Sequence, residues 1–216
     1  MNYLTTTSAI MKKKEFAATT SPIPDIAWFK LNGDILDYRG DGVGKTGATT
    51  VNPEQYYPYL SKSSYLCTGG AHYTSNYIAL PTIIRPATVT FSCWVNVTTV
   101  ITLSRIFDYG GKFRLTMKSS NLNLFFNDTL QVAYSTTFQN VWKHILFTVN
   151  GTTLIFYENG LPRTTTTIVA LTTLTSNGYL FASFGGDPDT AGKCSDFRIY
   201  GRVLTASEIM GLYNKI

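Results

Sequence analysis

Charged residues are scarce in this chain, and it has neither a long apolar run nor a large cluster of basic residues. Only 14% of the 216 residues are Asp, Glu, Lys or Arg. No apolar stretch approaches the roughly 20 residues that a membrane helix needs. The formal net charge is +5, yet the one basic run is Lys12, Lys13 and Lys14, which is no clustered phosphate-binding face. We therefore expect no nucleic-acid partner and no membrane insertion.

Cysteine is equally rare. The chain has three, Cys67, Cys93 and Cys194, an odd number without any C-x-x-C spacing. This arrangement favours neither a disulfide framework nor a zinc site, so we expect buried, reduced thiols. The basic run follows a polar stretch, the reverse of the order in a secretory signal, so classical secretion is not expected. The sequence leaves the localisation open.

The residues of common catalytic sites are also lacking. The chain contains only four glutamates: Glu15, Glu54, Glu158 and Glu208. No strand carries the two carboxylates of a glycoside hydrolase, and the closest acidic pair, Asp187 and Asp189, brackets a proline in a loop. Neither His72 nor His144 lies near a nucleophile motif, and no phosphate-binding loop is present. We expect no enzymatic activity.

Thr, Tyr, Phe, Val and Ile are abundant and favour strands, most clearly between residues 142 and 162. Side chains alternate from His144 to Val149 and again from Leu154 to Glu158, which is the period of a pleated strand. Asn150-Gly151 and Asn159-Gly160 tolerate the positive φ of tight turns. The pattern predicts an antiparallel meander, with His144 at a surface or an interface.

The same signals predict the remaining elements. Further strands are expected at residues 26–31, 77–81, 88–97, 104–109, 112–117, 122–127, 164–169, 179–184 and 196–200. A short helix is expected from Thr205 to Asn214. Thr205 and Glu208 fit a capping box, and Leu204 with Ile209 fits the accompanying hydrophobic staple.

The N-terminal stretch differs from the rest in composition. Residues 1–24 are rich in Thr, Ser, Ala and Lys, lack periodicity and end in Ser-Pro-Ile-Pro, which predicts an extended arm before one domain at 25–216. The arm is either a disordered terminus or a tether to a neighbouring protein. Its candidate partner-binding residues are Ile10, Met11, Lys12, Lys13, Lys14 and Phe16.

Three stretches together resemble the laminin-G-like, concanavalin A-like jelly-roll domains. They are Trp142 with the Tyr157-x-Asn159-Gly160 turn, Asp37 before the Gly-rich loop 40–44, and D-F-R-I-Y-G-R-x-L-T-x-x-E-I-x-x-L-Y-N at 196–214. The resemblance implies an all-β fold, a two-sheet antiparallel jelly-roll β-sandwich with a short C-terminal helix. It spans about residues 26–214.

The resemblance also raises calcium as a possible cofactor, although none is required. In that family an Asp of the first Gly-rich loop and an acid just before the D-F-R-I-Y strand often supply oxygen ligands. Asp37 and Asp196 are the candidates here, but Ser195 stands where the second acid is expected, which weakens the site because Ca²⁺ prefers carboxylate oxygen. Alternatively, Asp34, Asp37 and Asp41 only shape loop turns.

Two non-catalytic functions fit these observations. The first is a structural surface protein, plausibly a virion or capsid-surface component, whose arm binds protein neighbours in an assembly; the missing secretory signal and free cysteines favour it. The second is a carbohydrate-binding or adhesion module that binds surface glycans through loops at the sandwich edge, a frequent use of the resembled fold. The candidate ligand-binding residues for it are Tyr56, Tyr57, Tyr59, Asp187 and Asp189.

Overall fold

Strands dominate the computed structural model of the chain. The model describes residues 21–31, 34–40, 49–51, 56–59, 62–68, 77–99, 104–118, 121–137, 139–182 and 190–214. The elements in chain order are β1 (Ala27–Phe29), β2 (Thr49–Val51), β3 (Tyr56–Tyr59), β4 (Lys62–Thr68), β5 (Tyr77–Arg85), β6 (Val89–Thr99), β7 (Ser104–Tyr109), β8 (Phe113–Lys118), β9 (Asn121–Phe126), β10 (Thr129–Ser135), β11 (Lys143–Asn150), β12 (Thr153–Glu158), β13 (Leu161–Thr167), β14 (Leu174–Leu180), β15 (Ala191–Tyr200) and α1 (Ala206–Tyr213).

The strands form two antiparallel sheets. Sheet A has the order β13-β12-β11-β6-β15-β4-β3, and β1 also pairs with β15. Sheet B has the order β10-β9-β8-β7-β14-β5-β2. The predicted two-sheet jelly-roll sandwich with one short helix is confirmed.

A cluster of phenylalanines holds the sheets together. The ring of Phe91 in β6 stacks on Phe147 at 5.1 Å, and it lies 4.4 Å from Phe107 and 4.8 Å from Phe197. These positions come from both sheets, and all four side chains are buried. Because side chains alternate between the two faces of each strand, each of these rings lies on the inward face of its own strand.

The outer face of sheet A is covered by α1. Leu146 and Tyr200 of the sheet pack with Leu204, Ile209 and Leu212 in a second buried cluster. Strand β11 is therefore buried on both faces, although only one of its two alternating sets of side chains, Ile145, Phe147 and Val149, is entirely apolar.

The predicted helix start is confirmed in detail. Thr205 is the N-cap, its side chain accepts a hydrogen bond from Glu208 N, and the Glu208 side chain accepts one from Thr205 N. Leu204 and Ile209 are both buried, as a hydrophobic staple requires. The cap residues alone thus fixed where this helix begins.

The two predicted turns differ slightly from expectation. Asn159 and Gly160 both have positive φ, +53° and +76°, and connect β12 to β13 as predicted. In the other turn Asn150 is the last residue of β11 and pairs with Thr153, so the reversal is centred one residue later, on Gly151 with φ of +58°. Only the second position of that Asn-Gly pair required the left-handed conformation.

The strand prediction differs from the structure in several places. It lacks β2, β3, β4 and β10, and it places β13 at 164–169 rather than at Leu161–Thr167. Strand β14 begins at Leu174 rather than at 179, because its polar Thr-Ser-Asn stretch pairs with β5. It ends before Phe181, whose φ of +61° breaks the extended conformation. The two cysteines with described side chains, Cys93 and Cys194, are buried, as expected.

The sequence placed His144 at a surface or an interface, and the surface alternative is wrong. The side chain is 1% exposed, lies between sheet A and α1, and packs against the rings of Trp94 at 5.2 Å and Tyr213 at 6.3 Å. Its Nε2 is 2.8 Å from Ser92 Oγ. This pair has the spacing of a nucleophile and its base, but both side chains are buried too deeply to meet a substrate.

Burial of His144 predicts sensitivity to acid. Loss of hydration lowers the pKa of His144 from 6.5 to about 4; the charge of Asp196 raises this pKa by a smaller amount, and the charge of Arg198 lowers it. The unfolded chain therefore binds a proton at higher pH than the folded one. The free energy of unfolding should keep the full contribution of neutral His144 above about pH 6.5, and it should fall by about 3 kcal/mol as the pH drops to about 4.

This expectation can be checked by chemical denaturation at pH 7.5 and pH 4.5. His144→Gln should lose less stability between the two values than the wild type. His72→Gln, which removes the only other histidine, serves as the control. An equal pH dependence in His144→Gln and the wild type would contradict the assignment.

Candidate functional site

A cleft of about 230 Å³ opens at one end of the sandwich. Its apolar floor consists of Phe113, Phe126, Leu171 and Leu174. Phe113 and Phe126 face each other across β8 and β9, and their rings stack at 4.9 Å. Residues 169–172, in the connection from sheet A to sheet B, line the cleft as well. The floor is thus the end of the hydrophobic core.

Polar side chains form the rim of this cleft. They belong to Lys112, Asn127, Thr129 and Gln131. Asn127 lies in the turn between β9 and β10, where its φ is +47°. Gln131 is the bulged residue of β10, and its Nε2 donates a hydrogen bond to Thr129 O at 3.1 Å, which leaves its Oε1 available. The turn and the bulge bring two amide groups to one rim.

A buried arginine closes one side of the cleft. Arg85 is 5% exposed, and it donates hydrogen bonds to Pro86 O at 3.1 Å and Thr172 O at 2.8 Å. Its guanidinium carbon lies 5.4 Å from the centroid of Phe113. Burial lowers the pKa of Arg85 below its usual range. Arg85 therefore fixes the 169–172 connection to the end of sheet B and keeps a positive charge beside the cleft.

The cleft has the chemistry of a binding site. Among the described residues that line it, none is an aspartate, glutamate, histidine or cysteine. General acid–base catalysis most often uses such a group within hydrogen-bond reach of the substrate, and the ionisable side chains of this lining are Lys112 and Arg85. An apolar floor with a few polar groups on the rim is the usual composition of a small-ligand site.

The candidate calcium ligand Asp37 already has donors around it. The carboxylate is 3% exposed; its Oδ1 accepts hydrogen bonds from Trp28 N at 3.1 Å and Arg39 N at 3.0 Å. Its Oδ2 lies 2.9 Å from Arg39 Nε. These contacts hold the loop after β1 in place, in line with the alternative that Asp37 shapes the turn.

Asp196 is engaged in the same way. Its Oδ1 accepts hydrogen bonds from Trp28 Nε1 and Arg198 Nε, both at 2.8 Å. Ser195, the residue at the other expected ligand position, donates to Lys30 O at 3.3 Å. The described residues include no group of three or more His, Cys, Asp or Glu that could hold a metal ion. The carboxylates of Asp37 and Asp196 thus bind protein donors, which disfavours Ca²⁺ and its six to eight oxygen ligands at this place. The calcium site stays a prediction.

We therefore expect calcium to leave the melting temperature unchanged. A ligand stabilises the folded state only as far as it binds it, and here Arg39 and Arg198 occupy the carboxylates. Melting curves in excess calcium and in excess chelator should coincide. A rise of several degrees with calcium that disappears in Asp37→Asn would contradict this expectation.

The predicted sugar-binding residues lie away from the cleft or outside the described part of the chain. Tyr56, Tyr57 and Tyr59 belong to β3, at the edge of sheet A opposite to β13, the strand that leads into the cleft. Asp187 and Asp189 lie outside the described residues. Their role in sugar binding stays a prediction.

Sequence reasoning did not single out the residues of the cleft. The available local signals were the Asn127-Asp128 pair, which is typical of a tight turn, and the arginine at the end of β5. Neither signal points to a ligand by itself. The cleft exists because β5, β8, β9, β10 and the 169–172 connection end at the same side of the sandwich.

Comparison with known families agrees with this architecture. A laminin-G-type family model, described as the concanavalin A-like lectin/glucanases superfamily, matches residues 70–210. The chain belongs to this superfamily. The match includes β5 to β15 and the start of α1, and so most of the cleft. A search of curated proteins found no significant match.

Solved structures of binding domains share the fold. One is domain 4 of AbnA, an extracellular GH43 arabinanase from Geobacillus stearothermophilus, in complex with arabinotriose. It has 18% sequence identity to this chain and a TM-score of 0.71, and the alignment covers 89% of this chain and all of that one. Another is a structure of botulinum neurotoxin type C, whose cell entry depends on interaction with two ganglioside molecules. It has 14% sequence identity to this chain and a TM-score of 0.71, over 88% of this chain. The binding domain of paraclostridial mosquitocidal protein 1 has 18% identity and a TM-score of 0.68 over 88% of this chain.

The chain spans about half the length of the two toxin chains, 51% and 52%. At these identities the likeness concerns the fold alone. No helix among the described residues is long and apolar enough to cross a membrane.

Proposed function

We propose that this protein is a non-catalytic, lectin-like module that binds a glycan through the cleft at the end of the sandwich. The observation that carries the proposal is the combination of a stacked aromatic floor, Phe113 and Phe126, with the amides of Asn127 and Gln131 on the rim. Sugars present apolar C–H faces and a ring of hydroxyls. Such a ligand needs an apolar surface beside neutral donors and acceptors.

The size of the cleft limits how much of a glycan it can hold. About 230 Å³ is below the roughly 300–1,000 Å³ of pockets for drug-sized ligands. One sugar ring is a suitable occupant, and the rest of a chain would lie outside. The glycan in the AbnA domain structure supports a sugar ligand by analogy of fold, which is a weaker argument than the site itself.

The alternative predicted from sequence, a structural component of a virion or capsid, has no support from the related structures. The arm residues proposed to bind neighbours lie outside the described part of the chain. At the end of the predicted arm, Pro22 O accepts hydrogen bonds from Tyr200 Oη at 3.0 Å and Arg198 Nη1 at 3.5 Å. This part of the arm is held by the sandwich of its own chain. The assembly role stays a hypothesis.

Binding of the purified protein to a broad glycan array tests the proposal. Gln131→Ala removes a rim amide and Ala170→Trp fills the cleft, so both should weaken binding of every glycan that the wild type retains. Gln139→Ala, an exposed glutamine outside the cleft, is the matched control and should bind normally. Failure of the wild type to bind any glycan, or full binding by both cleft variants, would refute the proposal.

A further inference from the structure

We infer that the cleft selects sugars that carry an anionic group, such as a hexuronate carboxylate or a sulfate ester. The inference rests on the proposed glycan-binding function and names the class of sugar. It follows from the charges around the cleft, where Arg85 and Lys112 are cationic and no described lining residue is acidic. A neutral sugar would bring no negative charge to balance these two positive charges.

The acidic residues next to the rim in the chain are already paired. Asp108, at the turn that carries Lys112, has its Oδ2 3.4 Å from Arg105 Nε, and its Oδ1 accepts a hydrogen bond from Gly111 N at 3.0 Å. Asp128 lies between Asn127 and Thr129 in the turn from β9 to β10, and its Oδ1 lies 2.7 Å from Arg114 Nη2. The positive charge of Arg114 compensates this carboxylate. Asp128 therefore does not neutralise Lys112 or Arg85, and the cleft keeps a positive potential.

The two cations would act differently on a ligand. Arg85 is nearly buried and its two terminal nitrogens donate to Pro86 O and Thr172 O, so it contributes a fixed charge rather than a direct contact. Lys112 is exposed at the mouth of the cleft, and its ammonium forms no ion pair with any described residue. Lys112 can therefore reach an anion, and charge-assisted hydrogen bonds of this kind are about twice as strong as neutral ones.

Asn127 completes the proposed anion site. Its side chain is exposed in the β9–β10 turn beside Lys112, whose carbonyl accepts a hydrogen bond from Asn127 N at 2.7 Å. This backbone contact fixes the two residues next to each other at the rim. The side-chain amide of Asn127 can donate to the same anionic group that Lys112 binds.

Matched sugars provide the direct test. Methyl glycosides of hexuronic acids and of the corresponding hexoses, in gluco, galacto and manno configuration, differ only in a carboxylate in place of a hydroxymethyl group. Binding would be measured by NMR titration at low and high salt, with glucose 6-sulfate to separate charge from carboxylate shape. Protein from bacteria keeps Asn127, which lies in an Asn-x-Thr sequon, unmodified.

At least one uronate should bind about tenfold or more tightly than its neutral partner, and added salt should reduce this preference. Lys112→Gln and Asn127→Asp should remove most of it, whereas Lys112→Arg should keep it. Aspartate tolerates the positive φ of Asn127, so that variant changes the charge without straining the turn. Lys118→Gln, the same charge change at the exposed far end of β8, is the control and should bind like the wild type.

The outcomes separate this inference from the proposed function. Equal affinity for uronates and hexoses at the cleft would overturn the inference and leave the glycan-binding proposal standing. A preference that persists in both Lys112→Gln and Asn127→Asp would also overturn it, because the anion would then bind elsewhere. No binding of any sugar to the wild type would overturn both proposals.

Discussion

Replacing Phe91 with alanine is expected to destabilise the sandwich by about 3–5 kcal/mol. The Phe91 ring contacts four other phenylalanines, from β7, β8, β11 and β15. Deleting it removes apolar burial and leaves a cavity at the centre of both sheets. The neighbouring rings are held by their own strands and cannot close that cavity.

Denaturant unfolding of Phe91→Ala and wild type measures this loss directly. Phe125→Ala is the matched control, because Phe125 is partly exposed and lies outside the core cluster. It should cost about 1 kcal/mol. Similar losses in the two variants would contradict the assignment of Phe91 to the centre of the core.

The second large effect is expected at the buried ion pair of β15. Asp196→Asn should cost about 3 kcal/mol, because it leaves the charge of Arg198, which is 5% exposed, without its carboxylate. Arg198 also lies over the ring of Trp28 at 4.5 Å and donates to Pro22 O. The pair therefore ties the N-terminal stretch and β1 to sheet A. Asn tolerates the φ of +54° at this position, so the substitution adds no backbone strain.

The control for this prediction is Asp128→Asn. Asp128 also has a positive φ, +63°, and also pairs with an arginine, but its side chain is 63% exposed. Its loss should cost less than about 1 kcal/mol, as for most surface ion pairs. Adding Arg198→Met to Asp196→Asn should recover part of the stability, since no charge then remains buried. Equal effects at Asp196 and Asp128, measured by denaturant unfolding, would contradict this account.

Local patterns predicted the fold well because several of its signals are short. The capping box at Thr205 and Glu208 and the Asn159-Gly160 turn depend on residues within four positions of each other. The position of His144 could not be predicted in this way. It alternates with apolar residues as a surface residue would, but α1 returns from residues 206–213 to cover it.

The site is harder to predict than the fold for the same reason. Arg85, Lys112, Asn127 and Gln131 come from different strands and turns, and no fixed spacing relates them. Gln131 reaches the rim only because β10 has a bulge there. Clusters of tyrosines and acids in Gly-rich loops are more visible in a sequence, which is why the sequence patterns indicated Tyr56, Tyr57, Tyr59, Asp187 and Asp189.

The measurement that tests the central claim most directly is an NMR titration of the labelled protein with the strongest glycan from the array. The account predicts that the largest amide shifts fall on residues 112, 127–131 and 169–172, around the cleft. Gln131→Ala should weaken these shifts and Gln139→Ala should leave them unchanged. Shifts concentrated at residues 56–59 or 187–189, with none around the cleft, would contradict the assignment of the site.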